Sequence, residues 1–195
     1  PKEECDTLKE GLGLSRNKWT VFLATGGYGA NHHRDFLRVL LPLARKVQVI
    51  VICGRNHSIL QSLRRWSLRH PQLTLHLEGY SFRVPEFLQI SDAIITRGGA
   101  NTTMEALHFE CPILYNKLGG LMPQEHCTTR HLLNHNAARI IRKPHDLATI
   151  LQEWIEHPEH YWNLKTQFQK LNKPENPESV VRFMLSLANP LPVEG

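Results

Sequence analysis

Residues Thr20–Leu37 read TVFLATGGYGANHHRDFL, an apolar run followed by three glycines and then by an amphipathic segment. The apolar run predicts a buried strand, and the amphipathic segment predicts a helix. Gly26, Gly27 and Gly29 lie at the turn between them, where glycine lets the backbone bend tightly or approach a ligand closely. The turn has neither a GxGxxG pattern nor a Walker lysine, so the sequence leaves open whether it binds a phosphate or only connects two elements.

The same alternation of short aliphatic runs and longer helical patterns continues along the chain. The predicted strands are Trp19–Ala24, Val47–Cys53, Leu73–Leu77, Ala93–Thr96, Pro112–Tyr115 and Ala138–Ile141. The predicted helices between them are His32–Arg45, His57–Arg69, Val84–Ser91, Asn101–Glu110 and Gln124–Asn134. Strands that alternate with helices form parallel βαβ units. The sequence therefore predicts an α/β fold with a Rossmann-like, doubly wound parallel sheet of about six strands.

Three regions of the chain differ in pattern. Residues 1–17 are interpreted as a linker or tail, and residues 18–143 hold all the predicted strands. From residue 144 to residue 195 only helical patterns occur, so we predict C-terminal helices that pack on the α/β domain.

The composition is that of a globular domain, with 41 % hydrophobic and 21 % charged residues among 195. No apolar run is long enough to cross a membrane, and the charged opening segment PKEECDTLKEG lacks the apolar block of a signal peptide. We therefore expect a cytoplasmic protein. Cys5, Cys53, Cys111 and Cys127 are far apart and form no CxxC pair, which predicts free thiols.

Charge and histidine content suggest possible partners without selecting one. The net charge of +5 suits nucleic acid, an anionic membrane surface or an anionic small substrate. The densest basic cluster, Ser62–His70, has helical spacing of Leu63, Trp66 and Leu68 and is interpreted as a helix with a solvated basic face. The histidine pairs next to the glycine-rich loops lack ligand spacing, so no metal is predicted.

A second glycine-rich helix start follows the fourth predicted strand. In TRGGANTTMEAL, Gly98 and Gly99 precede Asn101, Thr102 and Thr103, which are all good helix-capping residues. Two helix N-termini facing one sheet edge favour a diphosphate ligand. Glu105 lies one turn further on, where its carboxylate either accepts hydrogen bonds from a sugar diol or simply favours the helix terminus.

Two further loops lead to the same edge. After the fifth predicted strand, Gln124, Glu125 and His126 either bind sugar hydroxyls or form an ordinary helix start. After the third predicted strand, the turn at Tyr80 and Phe82 either pairs its backbone with a base edge or only provides ordinary packing for the two aromatic side chains.

The segments SDAIITRGGANTTMEAL, CPIL and PQEHCTTRHL together resemble the nucleotide-sugar-binding C-terminal half of GT-B glycosyltransferases of the lipid II and galactolipid type. This family includes a peptidoglycan N-acetylglucosaminyltransferase, plastid monogalactosyldiacylglycerol synthases and bacterial diacylglycerol glucosyltransferases. The resemblance covers residues 19 to about 142, and ICGRN at Ile52–Asn56 is closer to the diacylglycerol branch. It implies that residues 18–143 form one half of a GT-B fold and bind a nucleotide sugar.

The resemblance also implies which residues bind the donor. The implied set is Gly27, Tyr28, Gly29, Ala30, Ser81, Phe82, Gly99, Ala100, Asn101, Thr102, Glu105, Gln124 and Glu125. The residues of the first glycine-rich turn would lie at the diphosphate, and those of the turn at Ser81 would contact uracil largely through the backbone. Glu105 would hold the ribose hydroxyls, and Gln124 with Glu125 would bind the hydroxyls of the sugar.

The implied reaction is inverting transfer of a hexose to a lipid acceptor. In this family a base deprotonates the acceptor hydroxyl, and the leaving UDP is stabilised electrostatically without a structural metal. We expect the base in the N-terminal half of the family's fold, so no catalytic residue is assigned here. His32 and His33 lie beside the glycine-rich turn, but a helix N-terminus disfavours a charged imidazole there. No cofactor is expected besides the UDP-sugar substrate.

Three alternatives to this hexosyltransferase remain open. They are N-acetylglucosaminyl transfer to a polyprenyl-linked acceptor, a nucleotide-sugar-binding subunit that is inactive without a partner, and a UDP-sugar epimerase. For the leading hypothesis, the expected partners are a UDP-sugar and a lipid-linked acceptor that a missing N-terminal domain or a partner subunit would hold. No nucleic acid is expected, and peripheral contact with the inner face of an anionic membrane is compatible with the charge.

Overall fold

The computed structural model describes residues 2–24, 32–120 and 122–172, together with positions 178, 181–182 and 184–185. Six parallel strands form one sheet in the order β3-β2-β1-β4-β5-β6. The strands are β1 (Trp19–Ala24), β2 (Val47–Ile52), β3 (Leu75–Glu78), β4 (Ala93–Thr96), β5 (Ile113–Asn116) and β6 (Ala138–Ile141). The predicted doubly wound α/β fold is confirmed.

Eight helices between residues 2 and 171 flank the sheet. They are α1 (Lys2–Gly11), α2 (His33–Leu40), α3 (His57–Arg69), α4 (Val84–Ile90), α5 (Ala100–His108), α6 (His126–Asn134), α7 (Pro144–Glu156) and α8 (Pro158–Leu171). Short 3₁₀ turns at Leu41–Leu43 and Pro123–Glu125 extend α2 and precede α6. No helix in these described ranges is long and apolar enough to cross a membrane.

The sheet separates two hydrophobic cores. One is built from β1 and β2 residues such as Val21 and Val49 with apolar side chains of α2, α3 and α7. The other lies on the opposite face, where Phe22 and Ile50 contact side chains of α4, α5 and α6. Because β1 pairs with β2 along all six residues and is buried on both faces, its near-continuous apolarity follows from its central position.

The amino-terminal segment corrects one expectation. Residues 1–17 were interpreted as a linker or tail, but Lys2–Gly11 form α1, which packs against α4. Cys5, Leu8 and Leu12 contact the second core, and Leu14 is buried. The apolar positions repeat at helical spacing, but they are few and lie among charges, so only contact with α4 stabilises the helix.

Two C-terminal helices, α7 and α8, pack on the first core. Trp154 of α7 and Tyr161 of α8 are buried, and their rings contact each other and Trp19 at the start of β1. The third predicted helix, in NPESVVRFMLSLANP, lies largely outside the described residues.

Candidate functional site

The carboxyl ends of all six parallel strands lie at one edge of the sheet. The strand order reverses between β1 and β4, and in doubly wound sheets the crevice at that reversal binds ligands. The loop after β1, with the predicted residues Gly27, Tyr28, Gly29 and Ala30, lies outside the described residues. The described part of the site consists of the loops that follow β3, β4 and β5.

Gly98 fixes the loop between β4 and α5. Its φ of +101° lies in the region that favours glycine. A Cβ atom at this position would come within 2.8 Å of Thr129 Oγ1 and 2.9 Å of Tyr115 Cε1. Both the backbone angle and the close packing therefore require glycine here.

The same loop is held against α6 by a hydrogen bond. The hydroxyl of Thr128 donates to the carbonyl oxygen of Gly98 at 2.8 Å, and it lies 3.2 Å from the carbonyl oxygen of Glu125. Burial raises the pKa of the adjacent Tyr115 to about 12, so this phenol stays neutral at physiological pH. The loops after β4 and β5 thus form one connected surface.

Helix α5 begins directly after this loop, at Ala100, with Gly99 as its N-cap. The predicted capping role of Asn101, Thr102 and Thr103 is wrong, since no side chain in the described part of the chain caps this helix and Thr103 is buried. The reason is that the helix starts one residue earlier than predicted, so these residues lie inside its first turn. Among the residues that the structure describes, the first N–H groups of α5 therefore have no side-chain acceptor, which leaves them available to an anion.

Glu105 lies on the exposed face of α5, one turn after Asn101. Its carboxylate forms no ion pair or side-chain hydrogen bond with any residue that the structure describes. The exposed and unengaged carboxylate is available to accept hydrogen bonds from a ligand such as a diol.

Gln124 and Glu125 are adjacent in sequence but differ in environment. Gln124 is exposed, and its amide contacts the sulfur of Met122 at 3.2 Å. Glu125 is 7 % exposed, and its Oε2 accepts a 2.7 Å hydrogen bond from the backbone N–H of Met122. Its Oε1 lies 3.5 Å from Nε of Arg97. Gln124 is thus open to a ligand, whereas Glu125 already holds the loop in place.

Arg97 joins the two loops electrostatically. Besides its contact with Glu125, its guanidinium lies 3.5 Å from the carbonyl oxygen of Gly120. A buried carboxylate needs such a partner, since an unpaired charge in this environment is costly. Sequence reasoning missed Arg97, although its position between a strand end and two glycines could have indicated it.

The turn between β3 and α4 exposes two aromatic side chains. Tyr80 is 56 % exposed and Phe82 is 86 % exposed, so neither side chain belongs to the core. Their rings contact each other edge to face at 5.2 Å, and the guanidinium of Arg55 lies 5.4 Å from the Tyr80 ring. Apolar surface of this extent is suited to stacking against a planar ligand.

An ion-pair network supports that turn. Glu78 contacts His76 at 2.8 Å and Arg83 at 3.4 Å, and Arg83 also pairs with Glu86 at 2.8 Å. The hydroxyl of Ser81 accepts a hydrogen bond from the N–H of Arg83. Burial raises the pKa of Glu78, but hydrogen bonds from Ser81 and His76 and nearby positive charge outweigh it and hold the pKa below its usual value.

The two histidines next to the first loop contact different groups. His33 is buried, and its Nε2 lies 3.2 Å from the carbonyl oxygen of Ile52, while His32 Nδ1 lies 3.4 Å from Asp35. His33 is therefore held against β2. Across the described ranges, no group of three or more His, Cys, Asp or Glu residues is arranged to hold a metal ion.

The distance across the sheet sets the size of a ligand that spans these loops. β3 and β4 are separated by three strand spacings, or roughly 14 Å at the usual interval between strands. This span is suited to an extended ligand with a planar group at Phe82, an anionic centre at the N-terminus of α5 and a polar group at Gln124.

The sequence comparison now defines the class of protein. The Glycosyltransferase family 28 C-terminal domain matches residues 20–173, which is most of the chain. The chain belongs to this family. The resemblance read from the motifs, to the nucleotide-sugar-binding half of GT-B glycosyltransferases, is thereby confirmed.

Two relatives define the more particular similarity. The chain is 27 % identical to a processive diacylglycerol beta-glucosyltransferase of Bacillus pumilus, over 93 % of this chain and 48 % of the relative. It is also 27 % identical to monogalactosyldiacylglycerol synthase 1, chloroplastic, of Arabidopsis thaliana, over 96 % of this chain and 35 % of the relative. The chain thus spans about half or less of these relatives.

Solved structures share the fold. Anabaena HepE in complex with UDP and glucose has a TM-score of 0.72 at 13 % identity, covering 97 % of this chain and 52 % of that chain. MurG of Acinetobacter baumannii has a TM-score of 0.68 at 14 % identity, covering 92 % of this chain and 53 % of that chain. These structures share the Rossmann-like α/β fold expected from the motifs.

Proposed function

We propose that this chain is the donor-binding half of a UDP-sugar-dependent hexosyltransferase that acts on a lipid acceptor with inversion. The observation that carries the proposal is the connected surface of the loops after β4 and β5, where Gly98 and Thr128 join an uncapped helix N-terminus to exposed polar side chains. The family match and the two lipid glycosyltransferase relatives support the same assignment.

The proposed binding mode assigns a part of the donor to each loop. Uracil lies against the turn at Phe82, the ribose hydroxyls donate to Glu105, and the diphosphate faces the first turn of α5. The Gln124 amide forms hydrogen bonds with hydroxyls of the sugar. Glu125 was expected to do the same, and we propose instead that it positions Gln124, because its two oxygens already meet Met122 and Arg97.

The proposed chemistry needs stabilisation of the departing UDP. Negative charge grows on the diphosphate as the glycosidic bond breaks, and N–H groups at the start of α5 face that charge. Because these donors are fixed by the packing of Gly98, they need no reorganisation during the reaction. The acceptor and the base that deprotonates it are assigned to another domain or a partner subunit, so this chain alone should bind donor without transferring sugar.

Calorimetric titration with UDP, UDP-glucose, UDP-galactose and UDP-N-acetylglucosamine tests the proposal. The Glu105→Ala variant should lose about 1 to 3 kcal/mol of UDP binding free energy, since a charged acceptor of the ribose hydroxyls is removed. Glu156→Ala is the matched control. Glu156 is an exposed carboxylate at the end of α7, at the opposite edge of the sheet, and its removal should leave UDP affinity unchanged.

Failure of the unaltered chain to bind UDP would overturn the proposal as a whole. Equal UDP affinity in the Glu105→Ala variant would instead remove only Glu105 from the ribose. Tighter binding of UDP-N-acetylglucosamine than of the two hexose donors would favour N-acetylglucosaminyl transfer.

A further inference from the structure

Helix α3 exposes a leucine within a group of arginines. Leu68 is 83 % exposed, and Arg64, Arg65 and Arg69 around it are exposed as well. Residues three and four apart on a helix are surface neighbours, so Leu68 lies beside both Arg64 and Arg65. A large apolar side chain is thus presented within a cluster of positive charge.

No acidic side chain offsets this charge on α3. The helix sequence HSILQSLRRWSLR contains no Asp or Glu. Among the residues that the structure describes, none forms an ion pair with Arg64, Arg65 or Arg69. The three guanidinium groups therefore carry uncompensated charge at the surface.

The neighbouring helix extends the basic surface. A groove of about 330 Å³ separates α2 from α3, with Arg34 and Arg38 on one wall and Ser62 on the other. Arg34 and Arg38 are exposed. Asp35, the acidic residue of α2, is half-buried and lies 3.4 Å from His32. The face formed by α2 and α3, here called the basic face, consists of Arg34, Arg38, Arg64, Arg65, Leu68 and Arg69.

We propose that the basic face docks on an anionic lipid surface, with the arginines at the headgroups and Leu68 inserted into the interface. Each Lys or Arg held near such a surface raises binding about fivefold, and an exposed leucine that inserts into the lipid adds burial of apolar area. This inference rests on the proposed function in one respect, since a lipid acceptor brings the enzyme to a membrane.

A nucleic acid fits the same face less well. Phosphates would attract the arginines, but they offer no apolar phase for Leu68. The aromatic residue of this helix, Trp66, is buried and stacks on His70 at 4.1 Å, so it is not available to bases.

Co-sedimentation of the chain with phosphatidylglycerol–phosphatidylcholine vesicles, without nucleotide, tests the proposal. The unaltered chain should bind these vesicles, bind less at high salt and not bind pure phosphatidylcholine vesicles. Replacing Arg64, Arg65 and Arg69 together by Gln should lower the partition coefficient about 100-fold. Leu68→Ser should lower it about five- to tenfold and should not affect folding, because the side chain is exposed.

The matched control replaces three exposed basic residues outside this face, Arg130, Arg142 and Lys170, by Gln. This control lowers the net charge by the same amount as the triple substitution of Arg64, Arg65 and Arg69. Its partition coefficient should stay within a few-fold of that of the unaltered chain. Equal losses in both triple variants, an unaltered chain that does not bind vesicles, or binding of duplex DNA in preference to vesicles would each overturn the proposal. UDP affinity is measured separately for each variant. Loss of vesicle binding with unchanged UDP affinity concerns only the basic face, whereas absence of UDP binding concerns the proposed function.

Discussion

Gly98 lies where the loop after β4 contacts α6, and substituting it tests how the site is held. Gly98→Ala should lower the free energy of unfolding by about 2 to 4 kcal/mol, because alanine is strained at positive φ and its Cβ would overlap Thr129 and Tyr115. Urea denaturation followed by circular dichroism measures this change.

Gly99→Ala is the control for this substitution. The adjacent glycine has a φ of −56°, and a Cβ there would meet nothing within 4 Å. Its stability should stay within about 0.5 kcal/mol of the unaltered chain. Equal destabilisation by the two substitutions would show that the close packing at Gly98 is not the cause.

The turn between β3 and α4 depends on the charge of Glu78, which makes its contribution dependent on pH. The pKa of Glu78 is held below its ordinary value of 4.5 in the fold. Its stabilising contribution is therefore fully present above pH 4.5 and is lost as the pH falls through the lower folded value. Glu78→Gln should cost about 1 kcal/mol at neutral pH and reduce the loss of stability between neutral and acidic pH.

Thermal unfolding measured as a function of pH tests this prediction. Glu86→Gln serves as the control, because Glu86 shares Arg83 but is more exposed than Glu78. Parallel stability curves for the unaltered chain and the Glu78→Gln variant below pH 4.5 would contradict the assignment.

The spacing of apolar residues predicts the buried face of some helices better than that of others. The spacing of Leu63 and Trp66 correctly indicates the buried face of α3. The sequence pattern also assigns Leu68 to this face, but Leu68 is exposed. Leu68 lies two residues after Trp66, so its side chain is rotated by about 200° around the helix axis and points away from the core. The basic cluster is a helix as predicted, and its exposed leucine suggests more than a solvated surface.

At the scale of the whole molecule, the four cysteines report on the integrity of the fold. Burial raises the pKa of Cys53 to about 11, and burial together with the charge of Asp92 raises the pKa of Cys111. Cys127 is exposed, and Cys5 is partly exposed. A maleimide at neutral pH should label Cys127 first and Cys5 more slowly, and should reach Cys53 and Cys111 only after denaturation.

Peptide mass spectrometry of the labelled chain assigns each thiol. Rapid labelling of Cys53 under native conditions would contradict the burial of the first core, and rapid labelling of Cys111 would contradict that of the second. The four thiols therefore test both faces of the sheet in one experiment.

The alternation of apolar strands and amphipathic helices determined the fold class by itself, because strand and helix periods are local properties of the chain. The strand pattern also placed the glycine-rich segment at Gly98 and Gly99 at the carboxyl edge of the sheet, since parallel strands bring all their carboxyl ends together. The packing of α1 and the different environments of Gln124 and Glu125 were decided by the tertiary structure. They depend on residues distant in sequence, such as Arg97, whose contact with Glu125 exists only after β4 and β5 pair.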